Sequence, residues 1–274
     1  MFKSMDKGDI DMPLVYIKGT TLNYWFDGPE QGAVVMLSHS LASNLTMWDA
    51  QVSALARAGY RILRYDTRGH GQSEVPPGPY SIELLAEDTV RLMDVLGLDK
   101  VHFCGLSMGG RVGQMLGIRH SDRLLSLAIC STSSDMPPRD VWDERIKMVR
   151  ENGMEAVVDA TIDRWFTKEG QERLSTEVKR VRNMILKTDP EGFCSCGAAI
   201  QNTDLHDAIA SIPTRTLVVV GDQDSGTPVS AAEFIHKQIA GSSFEVIQSA
   251  AHLVNIEQSV AFNRILLEFL EAGR

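Results

Sequence analysis

Apolar residues in this chain fall into two patterns: short unbroken runs, and longer stretches in which they recur every three or four positions. AVVMLS (33–38), YRILRY (60–65), VHFCGL (101–106), LLSLAICS (124–131), RTLVVVG (215–221) and FEVIQ (244–248) belong to the first pattern. Most are apolar throughout rather than alternating, which predicts strands of a sheet covered on both faces. MWDAQVSALARAG (47–59), SIELLAEDTVRLMDVLG (81–97), MGGRVGQMLGIRH (108–120), SAAEFIHKQIAG (230–241) and SVAFNRILLEFLEAG (259–273) have the second pattern and predict helices. VYIKG and TLNYWFDG (15–28) read as an opening hairpin that turns near Gly19. Regular alternation of strand and helix predicts an α/β fold with a doubly wound, mostly parallel sheet.

The alternation fails once. From about Pro137 to Ser211 no strand pattern occurs, only helix-like pieces: RDVWDERIKMVRENG, MEAVVDATIDRWF and QERLSTEVKRVRNMILK, with a less clear EGFCSCGAAIQN. An all-helical insertion between two strands predicts a cap over the sheet's edge. The expected organisation is therefore a core formed by 1–136 and 212–274, with a helical cap over 137–211. No internal repeat or low-complexity linker interrupts the chain.

Composition narrows the function classes. A 43% hydrophobic and 23% charged chain fits a soluble globular protein. No apolar run approaches the roughly 18 residues that span a bilayer. The opening MFKSMDKGDIDMPL has no continuous apolar segment of the kind a secretory signal needs. Net charge is −9 without a long Lys/Arg cluster, which argues against nucleic acid as a partner. Cys104 and Cys130 lie in strand-like runs, where cysteine acts as a small hydrophobe. The CSC at 194–196 lacks a second ligand pair, and no two histidines show ligand spacing, so neither metal nor cofactor is expected. A reduced, cytoplasmic protein acting on a small molecule is the expectation.

The chemistry concentrates at Gly105-Leu106-Ser107-Met108-Gly109, a G-x-S-x-G between an apolar strand and a helix. That context is a nucleophile elbow: glycines relieve crowding in a strained turn and the serine hydroxyl stands exposed. A serine hydroxyl needs a base within reach and a group to orient that base. Asp224, three residues after Gly221, is placed to turn its carboxylate back over the sheet edge; Asp222 is the runner-up and Asp135 a third candidate. His252 follows the last strand run and is the expected base. Of the other histidines, His102 sits inside a strand, His120 and His236 fall in helix patterns, His206 lies near the cap's exit, and His70 occupies a glycine turn.

His39 remains, in the SHSLASN loop (38–44) after the AVVML run. Acyl transfer requires two preorganised donors for the developing oxyanion. The Met108 N–H is one, and a register on His39 makes the Leu41 N–H the other. On this reading His39 is a scaffold residue that bonds nearby backbone.

Together, GLSMGG, the late Asp and His, and YDTRGHGQSE (65–74) resemble the α/β-hydrolase superfamily. More narrowly, LSHSLASNLTMWDAQ (37–51), RILRYDTRGHGQSEVPPGPYSIELLAEDTVRLMDVLGL (61–98), FCGLSMGGRVG (103–113), RWFT (164–167) and AAHLVNIEQ (250–258) resemble the 3-oxoadipate enol-lactonases of the β-ketoadipate branch of aromatic catabolism. The resemblance implies Ser107 as nucleophile, Asp224 as acid, His252 as base, Leu41 and Met108 as oxyanion amides, and Trp142 and Trp165 in the pocket lining. It implies a small lactone or ester as substrate; a substrate carboxylate would require a cation, with Arg139, Arg164 and Arg111 as candidates. Members of that family tend to read S-N-S-L-G in the opening loop, where this chain has Ser38-His39-Ser40-Leu41-Ala42, and SGTP after Asp224 also departs from the usual form. A general carboxylesterase with perhydrolase side activity is the nearest rival, a carbon–carbon bond hydrolase a more distant one, and a non-catalytic hydrolase-fold receptor the rival from another class. Dehalogenases and epoxide hydrolases use a carboxylate nucleophile where this chain has Ser107.

Overall fold

A computed structural model describes residues 13–273; the reading of the first twelve residues lies outside them. Eight strands form one sheet: β1 Leu14–Ile17, β2 Thr20–Asp27, β3 Val34–Ser38, β4 Arg61–Tyr65, β5 Val101–Leu106, β6 Leu124–Cys130, β7 Thr216–Gly221 and β8 Ser243–Ile247. Their order is β1-β2-β4-β3-β5-β6-β7-β8. β1 pairs antiparallel with β2, and β2 antiparallel with β4; every other pairing is parallel. β3, β5 and β7 are buried along their whole length, whereas edge strand β8 alternates between exposed and partly buried positions until Ile247, which is buried. This is the difference between strands covered on both faces and a strand at the rim.

The core helices are α1 Asp49–Arg57, α2 Ile82–Val95 and α3 Met108–Arg119. Between β6 and β7 come α4 Arg139–Asn152, α5 Glu155–Trp165, α6 Lys168–Arg173, α7 Ser175–Leu186 and α8 Pro190–Gln201. α9 Val229–Gln238, α10 Val254–Glu257 and α11 Ser259–Glu271 complete the chain. EGFCSCGAAIQN is helical: the Asp189 side chain accepts from the N–H groups of Glu191 and Gly192, and Pro190 occupies the first turn, where it costs no hydrogen bond. The run 171–187 was expected as one helix and is two. Leu174 leaves helical geometry at ψ 33° between α6 and α7. Beside it, Arg173 Nη2 donates to the carbonyl of Glu257, 84 positions away. One contiguous apolar cluster joins sheet residues such as Phe103 and Ile129 to Val149, Phe166, Val181 and Phe193 of the helical segment.

The chain leaves β3 for β4 on one side and then returns to β5 on the other, so the sheet order reverses between β3 and β5. In open α/β sheets, a crevice forms outside the carboxyl ends of the strands at such a switch point. The loop after β3 and the turn after β5 carry Leu41 and Ser107.

Candidate active site

Ser107 has φ 59° and ψ −112°, far from any ordinary conformation for a residue with a side chain. Glycines are required around it by close approach. A Cβ on Gly105 would lie 2.0 Å from the Gly109 carbonyl oxygen, and one on Gly109 would lie 2.3 Å from that of Ser38. The elbow is held from three sides: Ser107 N–H donates to Cys130 O, Thr132 Oγ1 to Ser107 O, and Gly109 N–H to His39 O. α3 begins at Met108, so the amides of its first turn point out of the helix.

Ser107, Met108, Leu41 and His252 line one cavity at the carboxyl ends of the strands. Trp142, Arg145, Arg164, Trp165 and Ile200 cover it from α4, α5 and α8. The N–H groups of Leu41 and Met108 take no acceptor among the described residues. Ser107 and His252 face the same space without a hydrogen bond between them.

His252 Nδ1 donates to Asp224 Oδ2 at 2.8 Å, and the Asp224 side chain is fully buried. Three further donors converge on that carboxylate. Gly226 N–H and Thr227 N–H bond Oδ1 at 2.9 and 3.0 Å, and Thr227 Oγ1 bonds Oδ2 at 2.7 Å. Burial alone would raise Asp224, but the His252 charge and these hydrogen bonds hold it below the usual carboxylate range. Trp165 stacks on the His252 ring at 6.3 Å between centroids and 24° between planes.

The rival acids are engaged elsewhere. Asp222 Oδ1 accepts from Ala250 N–H, steadying the loop that carries His252, and Asp135 bonds His206 on the surface. The rival histidines also have partners: His102 with Ser126, His120 with Glu87, His236 with Ser242, and His70 Nε2 with Ala42 N–H. His39 is fully buried, accepting from Thr67 N–H at Nε2 and donating to Ser40 O from Nδ1. Cys194 and Cys196 are buried thiols directed at the carbonyls of Ile146 and Arg68. Among the described residues no three His, Cys, Asp or Glu side chains cluster as metal ligands, and no helix is long and apolar enough to cross a membrane.

The three candidate cations separate. Arg139 is exposed, bonds Asn202 and does not line the cavity. Arg111 lines it, but its guanidinium is occupied by Thr203 O, Ser133 Oγ and Asp135 O. Arg164 lines it with only a 3.3 Å bond to Thr161 Oγ1. Beside it stands a residue the sequence reading missed, Arg145, which shares Thr161 Oγ1 at 3.4 Å. Its guanidinium lies 5.1 Å from the ring centroids of Trp142 and Phe193, and its Nε is buried without a hydrogen-bond partner among the described residues. Neither Arg145 nor Arg164 makes a salt bridge among the described residues. Burial, and then the Arg164 charge, pulls Arg145 down to about 9; burial lowers Arg164 against the charge of Asp163. The signal that could have flagged Arg145 is its spacing: three residues after Trp142, it shares that residue's helix face.

Glu257 was also passed over. It is buried, and its Oε2 accepts from Ala251 N–H at 2.7 Å, next to His252. Its Oε1 accepts from the N–H and Oγ1 of Thr167, between α5 and α6. One carboxylate thus ties the His252 loop to the helical segment above the cavity.

The comparisons agree with this architecture. Residues 33–187 match the family model described as alpha/beta hydrolase fold. The chain is 34% identical over 255 residues to 3-oxoadipate enol-lactonase 1 of Acinetobacter baylyi, covering 93% of this chain and 95% of that protein. It superposes on the enol-lactonase from Burkholderia xenovorans LB400 with a TM-score of 0.92 and 39% identity, over 94% of this chain and all of the other. A hydrolase from Pseudomonas aeruginosa gives a TM-score of 0.92 at 38% identity, over 96% of this chain and 99% of the other. An elbow at the sheet's switch point, an eight-stranded mostly parallel sheet and these similarities lead to one conclusion: the chain belongs to the α/β-hydrolase family.

Proposed function

We propose that this protein is a serine hydrolase that opens a carboxylate-bearing enol-lactone, of the kind named for its 3-oxoadipate enol-lactonase relatives. The observation that carries the substrate reading is the pair of guanidiniums, Arg145 and Arg164. They face the same cavity as Ser107 and His252, and neither forms a salt bridge among the described residues. Unneutralised buried charge is costly, and an anionic ligand supplies the missing partner. Residues 137–211 act as a cap that brings these cations over the site, and 1–136 with 212–274 act as the catalytic core.

Ser107 Oγ attacks the ring carbonyl while His252 Nε2 takes its proton, and Asp224 stabilises the resulting imidazolium. The N–H groups of Leu41 and Met108 receive the oxyanion. Collapse breaks the ring C–O bond, and His252 returns the proton to the departing oxygen. That oxygen stays tethered to the acyl-enzyme, so an alcohol there would re-close at very high effective concentration. An enol escapes by tautomerising to a ketone, which is no nucleophile. Water activated by His252 then releases the second carboxylate and restores Ser107. Trp142 and Trp165 form the wall against the ring.

The test is a parallel measurement of kcat/KM on the enol-lactone, a neutral lactone and short aryl esters. The enol-lactone is expected to lead; an ester preference by orders of magnitude would assign the protein as a carboxylesterase instead. A fluorophosphonate probe should label Ser107, and absence of an adduct would favour a binding role. Arg145→Met should lower kcat/KM on the carboxylate-bearing lactone by about 10- to 100-fold, the value of one charge-assisted hydrogen bond. Aryl-ester turnover should change by less than about threefold. The melting temperature should rise, because an unpaired buried cation is replaced by an apolar side chain of similar reach. Equal losses on both substrates would remove Arg145 from substrate recognition.

A further inference from the structure

Leu41 N–H and Ser40 C=O belong to the same planar peptide unit and point in opposite directions across it. Whatever fixes the Ser40 carbonyl therefore aims the Leu41 amide. The group that does so is the imidazole of His39, whose Nδ1 lies 2.7 Å from Ser40 O. The partners assign its tautomer. Thr67 N–H approaches Nε2 at 2.9 Å and has only a proton to offer, so Nε2 is the bare acceptor and Nδ1 carries the hydrogen. Donation to the carbonyl also polarises the peptide unit and strengthens its N–H as a donor.

The rest of the loop is tied so that this bond has a fixed frame to work against. The backbone carbonyl of His39 accepts from Gly109 N–H at 3.1 Å, which locks the loop after β3 to the first turn of α3. On the far side of Leu41, Ala42 adopts a positive φ of 60° and donates its N–H to His70 Nε2 at 3.0 Å. His70 stands 5.2 Å from His39 between ring centroids. Both imidazoles are buried, and burial holds both below the ordinary histidine range, His70 at about 3. The Leu41 N–H has no acceptor among the described residues, while Ser40 O on its own peptide and Ala42 N–H on the next are both held.

We infer that His39 is a positioning residue for the oxyanion hole, its Nδ1–H holding the Ser40–Leu41 peptide plane so that the Leu41 N–H faces the carbonyl oxygen of the substrate. The inference rests on the proposed acyl-enzyme mechanism, in which that amide is an oxyanion donor.

The two imidazole nitrogens can be replaced one at a time. In His39→Asn the side-chain NH2 occupies the place of Nδ1 and keeps the bond to Ser40 O, while the bond to Thr67 is lost. In His39→Gln the side-chain oxygen occupies the place of Nε2 and keeps the bond from Thr67, while Ser40 O is released. The expected result is kcat within about threefold of wild type for His39→Asn, and a fall of about 10- to 100-fold for His39→Gln with KM nearly unchanged. Butylboronic acid, which adds to a serine Oγ and places an oxyanion in the hole, should bind His39→Gln more weakly by the same factor as kcat falls. Wild-type boronate affinity in His39→Gln, or losses in both variants that follow their melting temperatures, would overturn the inference. If wild-type enzyme forms no boronate adduct on Ser107, the mechanism itself fails rather than the role of His39. A measurement that needs no variant completes the test: imidazole 15N shifts of the wild-type protein should show His39 protonated at Nδ1, and protonation at Nε2 would overturn the assignment.

Discussion

Ser107→Ala is expected to abolish enol-lactone turnover, lowering kcat by about a million-fold while the lactone still binds. The magnitude follows from the mechanism. Removing the nucleophile leaves His252 with only water to activate, in a site shaped for attack from the elbow. Residual catalysis comes from the oxyanion amides and from substrate positioning. A companion substitution separates chemistry from stability. Ser107 holds φ 59° and ψ −112°, a conformation that costs a residue with a Cβ about 1–3 kcal/mol. Ser107→Gly should be as inactive as the alanine variant yet melt about 2–4 °C higher for each kcal/mol of relieved strain. Substantial turnover by Ser107→Ala, measured with the lactone and corrected for spontaneous hydrolysis, would remove the acyl-enzyme from the mechanism.

Asp224→Asn should lower kcat by about ten-thousand-fold with little effect on substrate affinity. The reason lies in the four donors around the carboxylate. Gly226 N–H and Thr227 N–H have no alternative to donating, so the amide oxygen of an asparagine must take the Oδ1 position. Its NH2 then falls at Oδ2, facing Thr227 Oγ1 and His252 Nδ1. The Thr227 hydroxyl can rotate to accept, but His252 Nδ1 must give up its proton and accept as well. The imidazole flips to the tautomer protonated at Nε2, which cannot take the proton of Ser107. The same bonds set a dependence on pH. Asp224 is held below its unfolded value, so its contribution to stability is complete above the ordinary carboxylate pKa and is lost as pH falls through the depressed folded one. Acid unfolding of Asp224→Asn should lack that component, which comparison of the two unfolding midpoints between pH 2 and 5 would show. Retention of full activity by this variant would place the orienting acid elsewhere.

The sheet was legible in the sequence because its signals are local. Unbroken apolar runs such as VHFCGL need both faces covered wherever they lie in the chain. The elbow was legible because its signal is local too: an apolar strand, Gly105, Ser107, Gly109 and a helix pattern follow one another directly, although Cys130, Thr132 and His39 hold the finished turn from outside. The break at Leu174 was not legible, since no proline or glycine interrupts the helix pattern of 171–187.

The sequence by itself determined the fold class, the chain order of Ser107, Asp224 and His252, and the loop that approaches the elbow after β3. Each of these follows from periodicity, turn chemistry or chain order, which packing does not revise. Tertiary structure alone decided which cations face the cavity: Arg145 and Arg164 come from different helices and meet at Thr161, while Arg111 is consumed by carbonyls of the loops after β6 and after α8. It also decided what His39 does. A histidine at a strand end is compatible with catalysis until Thr67, 28 positions away, fills its Nε2 and leaves Nδ1 to hold the Ser40 carbonyl. A polar side chain's chemistry is set by the partners that reach it, and those partners are brought together only when the apolar runs collapse into one core.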